Sequence, residues 1–163
     1  MLINRSWLLR GSAGLLALLV VWIALEFSPD RQLDKVFSRL IRAAENRNWK
    51  TVSTLMADDY HDQWGMNREQ AVQAGSDVLG HFLALQILCE DVHGTREGRE
   101  AVIETRLRLR GRGNAIGEAV MQQANALENH FQFAWRRISW KPWDWKLVSI
   151  SQNEIEFDPK ELP

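Results

Sequence analysis

Past Gly80, residues 81–110 read "HFLALQILCEDVHGTREGREAVIETRLRLR", and the spacing of apolar side chains in this stretch decides the class of fold. Leu83, Leu85, Ile87 and Cys89 alternate with Ala84, Gln86 and Glu90. Ile103, Thr105, Leu107 and Leu109 alternate with Glu104, Arg106, Arg108 and Arg110. A period of two puts one set on each face of a strand, so two long strands are predicted. The intervening "GTREG" at 94–98 reads as the turn between them.

Downstream, Phe131, Phe133 and Trp135 alternate with Gln132 and Arg136. "WKPWDW" at 140–145 makes a corner and "WKLVSIS" at 145–151 a last strand, giving four strands in meander order. "GRGNAIG" at 111–117 is G-x-G-x-x-x-G, neither a dinucleotide fingerprint nor a P-loop, and reads as a flexible connection.

Upstream the period is helical. "SPD" at 28–30 combines a capping hydroxyl, a proline suited to the first helical position and an acid near the positive dipole end. Leu33, Val36, Phe37, Leu40, Ile41 and Ala44 then form one apolar stripe, which predicts an amphipathic helix. "NRNW" stops it, and Trp49, Val52, Leu55 and Met56 mark a shorter helix ending near Ala57. Asn67 and Gln70 form a capping-box start for a third, with Ala71, Val72, Val78 and Leu79 on it and Gly75 and Gly80 allowing close packing and a stop. Three helices followed by four strands predict an α+β domain, helices stacked on one face of a curved antiparallel sheet.

The first residues are a different material. From Trp7 to Leu25 the only charge in 19 residues is Arg10, and as a helix this run is about 28 Å long, close to the hydrocarbon thickness. "WIALEFSPD" offers no small-x-small cleavage site, so an uncleaved transmembrane signal-anchor is expected, with the lipid bilayer as partner of residues 7–27. Arg5 and Arg10 favour the amino end inside, which puts the following domain outside the cytoplasm at the cell membrane. The organisation expected is a tail and anchor over 1–28, a domain over 29–157 and a C-terminal tail over 158–163.

Bulk composition narrows the function classes. The 163 residues are 45% hydrophobic and 25% charged with a net charge of −1, so no global field would recruit nucleic acid. Residues 99–112 do hold five arginines against Glu100 and Glu104; with Arg136, Arg137, Lys141 and Lys146 they make either a basic docking face or a soluble outer face. The single cysteine, Cys89, cannot form an internal disulfide. Trp140 and Trp143 flank Pro142 in a turn, a position that suits ligand stacking, a protein interface or membrane contact, although packing within the hairpin is the commoner arrangement.

A long amphipathic helix, then "NRNWKTVSTLMADDYHDQWG" at 46–65, then strands ending "FAWRRISWKPWDWKLVSI" at 133–150, resembles the NTF2-like superfamily (SnoaL-like, cystatin-like fold). The resemblance spans roughly 31–157 and rests on order and pattern. It implies a cone, the sheet curled around a cavity that the helices close. In some members the cavity is an enzyme pocket and in others a core or docking surface, so fold alone does not choose. The ketosteroid isomerase residues do not carry over: the only tyrosine here is Tyr60, and the first helix offers Phe37.

Within "ADDYHDQWG" at 57–65, Asp58 and Asp59 follow a helix end and read as a solvated corner, with Tyr60 and Trp64 anchoring the loop. His61 and Asp62 are neighbours in sequence, and adjacent side chains rarely face one another. His61, His81, His93 and His130 lack metal-ligand spacing, and only convergence of His61, His81 and His130 in space would make a metal site. No catalytic residue, metal or cofactor is assigned; the pocket candidates are Tyr60, His61, Trp64, His130 and Trp135. The leading expectation is an anchored, non-catalytic binding or assembly module, with a homodimer through the sheet or a protein partner. Secretion-channel scaffold proteins share this arrangement of tail, membrane helix and outer domain. The alternative is a SnoaL-like isomerase, dehydratase or hydrolase acting on a small apolar molecule.

Overall fold

The computed structural model describes residues 28–155. The anchor expected over 7–27 and the tail over 158–163 lie outside them. Among the described residues no helix is long and apolar enough to cross a membrane. Four helices and four strands follow in the order α1 (Pro29–Glu45), α2 (Trp49–Leu55), α3 (Arg68–Gly80), β1 (Phe82–Glu97), β2 (Glu100–Gly113), α4 (Ala115–Ala126), β3 (Phe131–Arg137) and β4 (Trp145–Ser151). The sheet is antiparallel throughout, in the order β1-β2-β3-β4.

Local chemistry sets the helix ends. The Ser28 hydroxyl accepts from the Arg31 amide and Pro29 opens α1, leaving the apolar stripe to face the sheet. Arg47 takes a positive φ of 54° just past that helix, and Asn48 caps α2 by accepting from the Thr51 amide. Asn67 and Gln70 exchange bonds in a full capping box at the start of α3. α3 lies against Trp49 at Gly75, where a Cβ would come to 3.4 Å from the Trp49 ring, the distance of ordinary contact.

Leu33, Phe37 and Leu40 of α1 meet Val52 and Leu55 of α2 and Ile103, Phe133, Trp135, Trp145 and Leu147 of the sheet. Phe37 stands edge-on to Phe133 at 5.2 Å and to Trp135 at 6.5 Å, a geometry that adds to the burial of the rings.

The turn between β1 and β2 is tighter than expected. Strand pairing continues through Gly94↔Ile103 to Glu97↔Glu100, leaving only Gly98 and Arg99 in the loop, with Gly98 at φ 61°. The alternation also breaks twice: an irregularity between Phe82 and Ala84 buries Phe82 and leaves Leu83 81% exposed, out of phase with Leu85 and Ile87, and a second lies between Glu90 and His93, where Asp91 takes a φ of 52°.

A fourth helix corrects the reading of 111–117 as a flexible connection. Gly111 and Gly113 end β2, Asn114 caps α4 by accepting from the Gly117 amide, and α4 follows. The glycines serve close approach. A Cβ on Gly111 would lie 2.1 Å from the Ala84 carbonyl oxygen, and one on Gly113 or Gly117 2.7 Å from that of His81. Only side-chain-free residues let β2 and the first turn of α4 pack on the chain around His81.

Candidate functional site

The stretch 57–65 covers the free edge of β4. The amides of Ala57 and His61 donate to the carbonyls of Leu147 and Val148, at 2.8 and 3.1 Å. Further along, Gln63 and the backbone of Gln152 bond reciprocally, and the Trp64 indole N–H donates to the Ile155 carbonyl at 3.1 Å. The corner is therefore an edge seal strapped to the end of β4.

Its carboxylates divide sharply. Asp58 and Asp59 are exposed and pair with Arg68 and Arg136, each at 2.5 Å. The Arg136 bond holds the Asp59 carboxyl below its usual range. Asp62 is buried instead: Oδ1 accepts from the amides of Trp64 and Met66 at 3.0 and 2.9 Å, and Oδ2 accepts from the Tyr60 hydroxyl at 3.3 Å. Burial, reinforced by the negative Asp62, pushes the Tyr60 phenol far above its ordinary range. The sequence offered no sign of this inward turn, because two of the three donors to Asp62 are backbone amides.

Above this floor lies a cavity of about 220 Å³ between α1, α2, α3 and the inner face of the sheet. Leu40, Ala44, Trp49, Val72, Leu107 and Phe131 are among its walls, and Tyr60 is the one hydroxyl-bearing residue in the lining. Of the five pocket candidates only Tyr60 lines it. His61 points to solvent, and Trp64 is spent on the strap. Trp135 is core, and its indole N–H meets no acceptor among the described residues. His130, at the foot of β3, has a buried Nε2 that likewise lacks a partner there.

A second concavity, about 950 Å³, is an open cleft between α1 and β1. Leu33, Phe37 and Ile41 line it together with Asp34, Glu45 and Cys89. Burial and then Asp30 raise the Asp34 carboxyl, while burial and then Glu45 raise the Cys89 thiol. Glu45 is already bonded, its Oε1 accepting from the Ile87 amide at 2.6 Å.

Part of the arginine-rich face is paired within the fold. Arg106 meets Asp91 at 3.2 Å, Arg108 meets Glu90 at 3.5 Å, and Lys146 donates to the Thr54 carbonyl. The histidines do not converge: His81 bonds Asn114 at 3.0 Å, and the described residues hold no group of three or more His, Cys, Asp or Glu able to bind a metal.

No family model matches the chain, and no curated protein matches it. Solved structures do. Bd1075 of Bdellovibrio bacteriovorus superposes with a TM-score of 0.56 at 8% identity over 74% of this chain, which spans only 38% of that one. A cystatin-like-fold protein of unknown function from Nostoc punctiforme gives 0.53 at 14% identity, covering 74% of this chain and 86% of its own. A proposed dehydratase of the NTF2-like family from Streptomyces avermitilis gives 0.54 at 17% identity, covering 75% and 93%. At such identities the likeness speaks of fold and not of activity. What the chain shares with these structures is the NTF2-like, cystatin-like α+β fold, a curved antiparallel sheet with helices on it.

Proposed function

We propose that this chain is a membrane-anchored NTF2-like module that binds a small apolar molecule or segment without transforming it. Residues 7–27 would sit in the bilayer and the folded domain outside the cytoplasm. The observation that carries the binding role is the cavity: its walls are apolar, and the Tyr60 hydroxyl gives its hydrogen to an Asp62 that is itself held by two amides. A base needs a lone pair facing substrate, and this carboxylate, outside the cavity lining, turns its oxygens to the Tyr60 hydroxyl and to the amides of its own loop.

A cavity of about 150 Å³ accepts benzene, so one of about 220 Å³ suits a somewhat larger hydrophobe. The test is titration of the full chain, in detergent, with the neutral dye N-phenyl-1-naphthylamine. One saturable site, lost in Val72→Trp, is expected. Binding that never saturates, or that Val72→Trp leaves untouched, would end the proposal. Resistance of the native protein to carbonate extraction tests the anchor separately.

A pocket enzyme is the second reading, favoured by the raised Asp34 carboxyl in the α1–β1 cleft. It requires that a metabolite be consumed by the native chain and spared by Asp34→Asn.

A further inference from the structure

We infer that the β3–β4 hairpin tip is a second membrane contact, laid on the bilayer beside the anchor. This rests on the reading that residues 7–27 are in the membrane, and it adds how the domain is held against the surface. Seven large apolar residues are exposed among the described ones, and three of them fall within six positions: Ile138 at 48%, Trp140 at 78% and Trp143 at 48%. Of the remaining four, Val78, Leu83 and Ile116 belong to the chain around His81 at the other end of β1, and Val92 stands apart.

The second observation is where this tip lies. Ile138 N donates to Asp144 O at 2.9 Å and closes the hairpin, and Arg137 N donates to Arg99 O at 2.8 Å. The β3–β4 tip therefore shares one end of the sheet with the Gly98–Arg99 turn. Arg96, two residues before that turn, pairs with Asp30 in the first turn of α1 at 2.5 Å. The start of α1 is thus at the tryptophan-bearing end.

Chain length then fixes the distance. Two residues, Glu26 and Phe27, separate Leu25, the end of the apolar run, from Ser28, and the three steps between them span at most about 11 Å when extended. An anchor ending there keeps this end of the domain within reach of the headgroups. Indoles are the side chains that favour that layer, with an apolar body and a polar N–H. Around the tip Arg99, Arg137 and Lys141 offset Glu97, Glu100 and Asp144, so the contact needs no anionic lipid.

The test uses the full chain with Trp7→Phe and Trp22→Phe, which removes both indoles of the anchor and leaves six in the domain. It is reconstituted in phosphatidylcholine vesicles with and without brominated acyl chains, and each sample is floated after carbonate treatment. Expected are flotation, a bromolipid-dependent loss of up to about a third of the emission (two indoles of six), and disappearance of that loss in Trp140→Phe/Trp143→Phe. Flotation without quenching, or quenching that survives the double substitution, overturns the tip contact while leaving the anchor standing. The first of these would also mark the tip as free for a protein partner. Failure to float removes the anchor and this inference with it.

Discussion

Asn125 of α4 grips the backbone of Leu109 on β2 with both ends of its amide: the Leu109 N–H donates to Oδ1 at 2.7 Å, and Nδ2 donates to the Leu109 carbonyl at 2.8 Å. β3 pairs only with Glu100 to Thr105, so beyond that point a side chain does what a neighbouring strand would do. Asn125→Ala removes both bonds and leaves two part-buried backbone groups unpaired. A loss of about 1–3 kcal/mol in unfolding free energy is expected, read by urea denaturation.

Two aspartates four residues apart give opposite outcomes. Asp62→Ala strips an acceptor from the amides of Trp64 and Met66 and from the Tyr60 hydroxyl, all in a part-buried or buried setting. About 2–4 kcal/mol should be lost, since hydrogen bonds to charged groups are the stronger class. Asp58→Ala removes only an exposed pair with Arg68, and its denaturation midpoint should coincide with that of the unaltered protein.

Tyr60 is the sole tyrosine, so absorbance at the tyrosinate band reports on one group. Its phenol is raised in the folded chain, whereas an unfolded tyrosine ionises near pH ~10. Below that pH both states carry the proton and the group adds no pH dependence. Above it the unfolded chain holds fewer protons than the folded one, so stability falls as pH rises. Tyrosinate should appear only together with unfolding, and Tyr60→Phe should flatten this part of the alkaline decline. A reversible titration near pH 10 in the folded protein would contradict the buried bond to Asp62.

Glycines at two sites should respond with opposite sign. Gly75→Ala gains helix propensity and places its methyl in ordinary contact with Trp49, so a gain of about 0.5–1 kcal/mol is expected. Gly111→Ala drives a methyl into the Ala84 carbonyl and must push β1 and β2 apart, at a cost of about 1–3 kcal/mol. Thermal unfolding followed by circular dichroism orders the three proteins.

What could be read in advance was what is local. The cap at Ser28, the stripe from Leu33 to Ala44, the box at Asn67 and Gln70 and the period of two in the strands depend on neighbours within a few residues, and each has its counterpart in the structure. α4 was missed because its glycine at 117 reads as a breaker, although Asn114 with Glu118 in the first turn is a usable start signal. Its role needs Leu109, sixteen residues away in sequence. A cavity was implied by the resemblance, but most of its lining was hidden, since Val72 and Leu107 become neighbours only when α3 folds over the sheet. Asp62 turns away from its neighbour His61, as consecutive side chains are expected to, but its actual partners, the backbone amides of Trp64 and Met66, carry no side-chain signal in the sequence.

The two margins of the sheet are finished differently. That of β4 is sealed by the segment from Ala57 to Gln63, whereas among the described residues the backbone of β1 is met from outside the sheet near its start, by Arg47 at the Phe82 carbonyl and Glu45 at the Ile87 amide, and farther along only the Arg96 side chain is held, by Asp30. Among the described residues, the margin open to a foreign strand is therefore the distal half of β1. Two copies joined there would exhaust each other's vacancy, so self-pairing by this route terminates at two and cannot propagate into a fibre, a ceiling that mass photometry can read.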